Sequence, residues 1–304
     1  MTDALLATSD GLVLRGRALP AVGEARGAVA MVHGLGEHSA RYAGLHQALT
    51  AAGFAVASAD LRGFGRSPGP RGHINHWDDY RADTAAMLAL ARTLAPGKPL
   101  FLFGHSMGGL IVLDYALQRP EGLAGVVASG PALLPGGPRR RALEVVASVL
   151  SILTPKLSTR LGIDKTGIST LPDVVADYIA DPLRTEAVSM RWGTEIMKVM
   201  PATREGATRF PLPLLVMHGE DDPITSPEGS RAFVAACGHP DHQLIRYPGC
   251  RHEVHHDVGR AAFERDLIGW LIAHTPPTAT TGDAAAGLAH DERIPGRTSP
   301  QDLN

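Results

Sequence analysis

Between Gly27 and Ser129 the chain repeats one plan: a short apolar run, a turn marked by Gly or Pro, then a helical pattern rich in Ala and Leu. The runs are GAVAMVH (Gly27 to His33), FAVASAD (Phe54 to Asp60), PLFLFGH (Pro99 to His105) and AGVVAS (Ala124 to Ser129). Strands that are apolar almost throughout must be buried on both faces. Alternated with helices, they predict an α/β fold whose central sheet is mostly parallel and flanked by helices.

After Pro131 the plan breaks, and residues to about Pro211 read as helices and loops without a clear strand. It resumes with PLLVMHG (Pro213 to Gly219), a helix from about Pro227 to Cys237, the strand QLIRYPG (Gln243 to Gly249) and a helix ending near His274. The expectation is one core made of residues 1–131 and 212–274, with 132–211 inserted as a helical cap or lid. Residues 275–304 lack aromatic side chains and apolar periodicity, so a disordered tail is expected there.

Charge excludes one class of partner. With 29 basic and 31 acidic residues the chain has a net charge of −2, which gives no electrostatic footprint for a nucleic acid. Two cysteines, Cys237 and Cys250, are too few for a disulfide framework and lack zinc-site spacing. The first residues show no basic, apolar leader, and no apolar run approaches the ~20 residues of a spanning helix. A cytoplasmic protein is therefore expected, in contact with membranes at most peripherally; its oligomeric state is not specified.

The pattern G-x-S-x-G occurs twice, as GRSPG (Gly65 to Gly69) and GHSMG (Gly104 to Gly108). In a nucleophile elbow the serine occupies a sharp strand-to-helix turn, and the N–H of the next residue stabilises an oxyanion. Ser67 precedes Pro68, which has no N–H, and reads as a turn residue. Ser106 follows the strand PLFLF and precedes the helical GGLIVLDYALQR, which makes it the candidate nucleophile, with Met107 as an oxyanion donor.

A serine hydroxyl needs a base, and the base an orienting acid, in the chain order Ser, Asp, His for this fold type. HGEDDP after PLLVM offers Asp221 and Asp222 as the acid, or as turn caps. RHEVHH offers His252, His255 and His256, of which His252 lies nearest the strand end and so nearest the edge where parallel strands deliver site residues. The same letters satisfy the zinc motif H-E-x-x-H, and Gly259 extends it. A zinc site would need both histidines on one helical face and a third ligand, but Ala262 stands where the longer motif places a histidine.

Taken together, HGLGEHSARY (His33 to Tyr42), DLRGFGRSPGPRGHI (Asp60 to Ile74), GHSMGG and HGEDDPITSP closely resemble the monoacylglycerol lipase family of α/β-hydrolases. The resemblance runs from about Gly11 to Trp270, and DYIADPL (Asp177 to Leu183) and RWGTE (Arg191 to Glu195) resemble that family's cap. It implies Ser106 as nucleophile, Asp222 rather than Asp221 as acid and His252 as base, with the Leu35 and Met107 N–H groups as oxyanion donors. It further implies a glycerol pocket at Glu37, Arg41 and His255, where the residues alone also allow a Glu37–Arg41 surface pair at i, i+4.

The implied activity is hydrolysis of a monoacylglycerol, a small lipid ester, to fatty acid and glycerol through an acyl-enzyme, without metal or cofactor. A lysophospholipase or broad carboxylesterase would use the same triad, and a non-catalytic lipid-binding module is a further alternative. Within the cap, PRRRALEVVASVLSIL (Pro138 to Leu153) places three arginines before an apolar helical stripe that could rest on a lipid surface or pack on the core.

Overall fold

A computed structural model of the protein describes residues 2–136 and 151–276. Ten strands are present in the described residues: β1 (Thr2–Ala7), β2 (Val13–Leu19), β3 (Gly27–Val32), β4 (Phe54–Ala59), β5 (Leu100–His105), β6 (Gly125–Ser129), β7 (Ser158–Arg160), β8 (Ala187–Ser189), β9 (Leu214–Gly219) and β10 (His242–Tyr247). Eight form one sheet in the order β1-β2-β4-β3-β5-β6-β9-β10. β2 runs antiparallel to both β1 and β4, and every later pairing is parallel.

The helices are α1 (Ala43–Ala51), α2 (Asp78–Leu94), α3 (Met107–Gln118), α4 (Pro172–Ala180), α5 (Met190–Glu205), α6 (Pro227–Ala235) and α7 (Arg260–Ala273). Side chains alternate across a strand, so Ala28, Ala30 and Val32 join one core with α2, α3 and Phe233 of α6. Val29 and Met31 join the other with Leu45 and Leu49 of α1 and Phe263 and Leu267 of α7. Burial on both faces is the reason β3, β4, β5, β6 and β9 carry no charged residue. The parallel strands bring the loops after β3, β5, β9 and β10 to one edge of the sheet.

Two features depart from the expectation. The N-terminal β1–β2 hairpin has one buried face, with Leu6 and Leu14 inside and Leu5 and Val13 exposed, and turns through Thr8 to Gly11. Between β6 and β9 the chain is not wholly helix and loop, because β7 and β8 form a small antiparallel ribbon. Most of the expected cap helix over Pro138 to Leu153 lies outside the described residues, as does the tail from residue 277; residues 151–153 are helical. Among the described residues no helix is long and apolar enough to cross a membrane.

Candidate active site

Ser106 occupies the single residue between β5 and α3, with φ 56° and ψ −117°, and is the only non-glycine residue at positive φ among those described. Such a turn brings strand, helix and β3 within a side chain's thickness of one another. A Cβ on Gly104 would strike the Gly108 carbonyl, and one on Gly108 would strike that of Val32. The serine backbone is pinned on both sides: its N–H donates to Ser129 O at 2.8 Å, and its carbonyl accepts from Ala132 N at 3.0 Å and Leu110 N at 3.1 Å. Ser67 does something else, donating to Asp60 O at 2.5 Å and accepting from Arg15 N at 2.9 Å within its turn.

Asp221 and Asp222 follow β9, and only Asp222 is buried. Its Oδ2 accepts from His252 Nδ1 at 2.6 Å, His218 Nε2 at 3.0 Å and Thr225 Oγ1 at 2.8 Å, while Oδ1 accepts from the N–H groups of Ile224 at 2.8 Å and Thr225 at 3.0 Å. Burial pushes this carboxyl up, but the charge of His252 and hydrogen bonds from His218 and His252 outweigh it and hold it well below the usual carboxylate range. The carboxylate fixes the tautomer of His252 in return. With its Nδ1 proton given to Asp222, the Nε2 of the neutral ring is left to accept a proton. Burial lowers the His252 pKa, yet the Asp222 charge and hydrogen bond more than compensate, and the net shift is upward from 6.5.

Ser106 and His252 both line a cavity of about 480 Å³, and no hydrogen bond joins them among the described residues. Catalytic contacts of this kind are often long in an unliganded site and tighten on the substrate. Leu35 and Met107 line the same cavity. Met107 is the first residue of α3, so its N–H has no partner in the helix. Neither of these two N–H groups meets a backbone acceptor among the described residues. Leu161, Ile163, Ile168, Trp192, Ile196 and Met200, all from the connection between β6 and β9, make much of the wall apolar.

Two buried carboxylates, Glu37 and Glu253, are also among the residues lining the cavity. Arg41 is not part of a free surface pair: only 9% of its side chain is exposed, and it lies 3.0 Å from Glu37 Oε2 and 2.5 Å from Glu253 Oε2, with its guanidinium over the Tyr178 ring. Burial raises both carboxyls, but the Arg41 charge, with the Tyr42 hydroxyl at Glu37 and the His256 hydrogen bond at Glu253, keeps each ionised below its ordinary value. His255 does not reach the cavity. It stacks on Tyr42 at 5.0 Å, and neither ring nitrogen has a hydrogen-bond partner among the described residues.

The zinc reading of HEVHH does not match the local geometry. Val254–His256 is one 3-10 turn rather than a helix with two histidines on a face, and His252 is committed to Asp222. Glu253, His255 and His256 do place ligand atoms within 4.8 Å of one another. The Arg41 guanidinium, 3.5 Å from His256 Nδ1 and bonded to Glu253, already supplies the positive charge at that point. A second cavity, about 220 Å³, lies by the N-terminal hairpin among Arg15, Arg66 and His38 and holds none of the expected site residues.

The sequence reading missed three residues of the site. His218 and Thr225 both brace Asp222, and Glu253 lines the same cavity as Glu37. His218 and Thr225 flank the acid within HGEDDPITSP, and their signal is a histidine at the end of a buried strand and a threonine three residues past the acid.

This sheet order, with a serine strained between its fifth strand and the following helix and an acid–imidazole pair on later loops, is that of an α/β-hydrolase. Residues 23–259 match the family model described as "Serine aminopeptidase, S33". The monoacylglycerol lipase of Mycolicibacterium smegmatis is 34% identical over 253 residues, covering 82% of this chain and 89% of that one. The crystal structure of Paleococcus ferrophilus monoacylglycerol lipase superposes with a TM-score of 0.79 at 37% identity, covering 86% of this chain and 99% of that one. Phospholipase YtpA of Bacillus subtilis is 31% identical over 198 residues, covering 64% of this chain and 76% of that one. The chain belongs to the monoacylglycerol lipase family.

His218 tests the bracing of the acid. Its Nε2 lies 3.0 Å from Asp222 Oδ2 and 3.1 Å from Thr225 O, neither of which can donate, and the Thr225 hydroxyl, 3.4 Å away, gives its own proton to Asp222, so that nitrogen carries the proton. His218→Ala is expected to cost about 1–3 kcal/mol in urea unfolding and to reduce kcat less than Asp222→Asn does. An unchanged urea midpoint would show that the Asp222 carboxylate does not need this donor.

Proposed function

We propose that this chain is a serine esterase that cleaves monoacylglycerols to fatty acid and glycerol. The observation that carries the reading is the pairing of buried Asp222 with His252 Nδ1, with His252 and Ser106 lining one cavity whose wall combines apolar side chains with the carboxylates of Glu37 and Glu253. Ser106 attacks the ester carbonyl as His252 Nε2 takes its proton, and Asp222 stabilises the imidazolium. The Leu35 and Met107 N–H groups receive the oxyanion. His252 then protonates the departing glycerol, and water repeats the sequence on the acyl-enzyme.

In this reading the acyl chain lies along Ile168, Trp192, Ile196 and Met200, and the glycerol hydroxyls meet Glu37, with Arg41 and His255 as its support. Residues 132–211 act as the cap, joined to the core by Thr185 N on Gly36 O at 3.0 Å and by Glu253 N on Ile168 O at 2.7 Å. A lysophospholipase is the second reading, favoured by the phospholipase relative. Substrate choice rests in the cavity and cap, since the triad would serve either ester. A cytoplasmic enzyme acting on a lipid must also meet its substrate at an interface. Ile152 and Leu153, 75% and 71% exposed in the helical residues 151–153, are the side chains we assign to that contact.

Ser106→Ala is expected to lose about four decades of kcat or more on a medium-chain monoacylglycerol, assayed beside a lysophospholipid and a short aryl ester. Retained turnover would end the serine mechanism, and preference for the lysophospholipid would overturn the substrate. Because the His252 pKa is raised above 6.5, kcat/KM should fall with decreasing pH through a limb above that value. Asp222→Asn removes the charge that is the largest cause of the rise while burial remains, so the limb should move to lower pH, with a rate loss of about 10⁴. A limb that stays in place would detach it from His252. Leu153→Asp should reduce co-sedimentation with vesicles, and undiminished binding would remove the cap from the interface.

A further inference from the structure

The loop after β3 carries an arrangement that the triad does not explain. Gly34 is held from two directions: its N–H donates to Glu37 Oε1 at 2.6 Å, and its carbonyl lies 2.7 Å from His33 Nδ1. The direction of the second bond follows from the other side of the ring. His33 Nε2 receives the Leu61 backbone N–H at 2.9 Å, and since an amide can only donate there, Nε2 bears no proton and Nδ1 must carry it. Burial, the dominant influence on His33, keeps this ring neutral.

The carbonyl taken by His33 belongs to the same peptide as the Leu35 N–H. In a trans peptide the C=O and N–H point opposite ways, so fastening the Gly34 oxygen to His33 turns the Leu35 N–H away from His33. Leu35 and Gly34 both line the cavity that contains Ser106, and a Cβ on Gly34 would lie 3.2 Å from the Ser106 Cβ and 2.7 Å from Glu37 Oε1. Glu37 is itself built in: it is 3% exposed, and the Tyr42 hydroxyl donates to its Oε1 at 2.6 Å while Arg41 Nε donates to its Oε2 at 3.0 Å.

We infer that Glu37 and His33 are positioning residues for the oxyanion hole, together fixing the Gly34–Leu35 peptide so that the Leu35 N–H stands ready for the tetrahedral intermediate. This rests on the serine-esterase reading and gives Glu37 a task independent of glycerol. A donor preset in this way needs no reorganisation as charge develops, which is where such sites derive most of their effect. Arg41, held in turn by Glu253, then serves the same end at one remove, by keeping the Glu37 side chain aimed at the Gly34 amide.

Two substitutions separate this role from a glycerol contact. Glu37→Gln keeps an oxygen for the Gly34 N–H, whereas Glu37→Asp keeps the charge but withdraws it by one methylene. Each is assayed on a short aryl ester with no glycerol and on a monoacylglycerol, with active enzyme counted by the end-point of a serine-directed phosphonate. Binding of a trifluoromethyl ketone, whose hemiketal oxygen mimics the oxyanion, is measured in parallel. Glu37→Asp is expected to lower kcat per active site by about 10² on both esters, with KM little changed, and to weaken the ketone by a similar factor. Glu37→Gln, which leaves Arg41 paired with Glu253, should retain more of both than Glu37→Asp does.

If Glu37→Asp matches the parent on the aryl ester and loses only monoacylglycerol turnover, Glu37 is a glycerol contact and the inference fails. It fails equally if kcat falls while ketone affinity holds. The aryl ester reports the oxyanion step whichever alcohol the parent enzyme prefers, so a wrong substrate assignment appears in the parent's preference and leaves the comparison between variants intact.

Discussion

A serine forced to φ 56° is the constraint around which the rest of the molecule is organised. An L-residue in that region stores roughly 1–3 kcal/mol, and it persists only where the surroundings leave it no alternative. Here the β5–α3 junction closes on glycines because no larger residue lets the helix approach β3, and the serine's own amide and carbonyl are tied to Ser129, Ala132 and Leu110. The two apolar cores clamp the strand and helix that feed the turn. The stability of the sheet is thus what holds the hydroxyl at the cavity wall.

The opposing loops show how burial and charge are balanced. A carboxylate as buried as Asp222 would be protonated if left alone, and five donors from His252, His218, Thr225 and Ile224 prevent that. Arg41 plays the corresponding part between Glu37 and Glu253. Neither group of charges is decorative: with a buried pair, taking away one partner strands the other without compensation.

Most of the sheet was legible because its central strands are apolar on both faces and end at, or directly before, a Gly, His or Asp, so their positions could be read to within a residue or two. The hairpin of β1 and β2 escaped because only half of it is buried: Arg15 and Arg17 alternate with Leu14 and Gly16, and the turn TSDG was the remaining signal. β7 and β8, each of three residues, are too short for a period of two to show. At the site, Ser106 was readable from its flanks. Roles set by distant partners were not, since nothing local in HGLGEH shows that the Glu37 side chain turns back to the Gly34 amide, or in HGEDDP that His218 turns inward to Asp222.

The connection between β6 and β9 joins two strands that lie side by side and run parallel. Parallel neighbours always need a long crossover, because a tight hairpin cannot reverse the chain twice. The residues that shape the apolar wall of the cavity are therefore housed in a link that the sheet requires in any case, and whose length does not alter its register. Such an arrangement is modular. The crossover is free to be lengthened, shortened or resurfaced by descent while the strands and the strained turn stay as they are, and the range of esters admitted becomes a property of the connector.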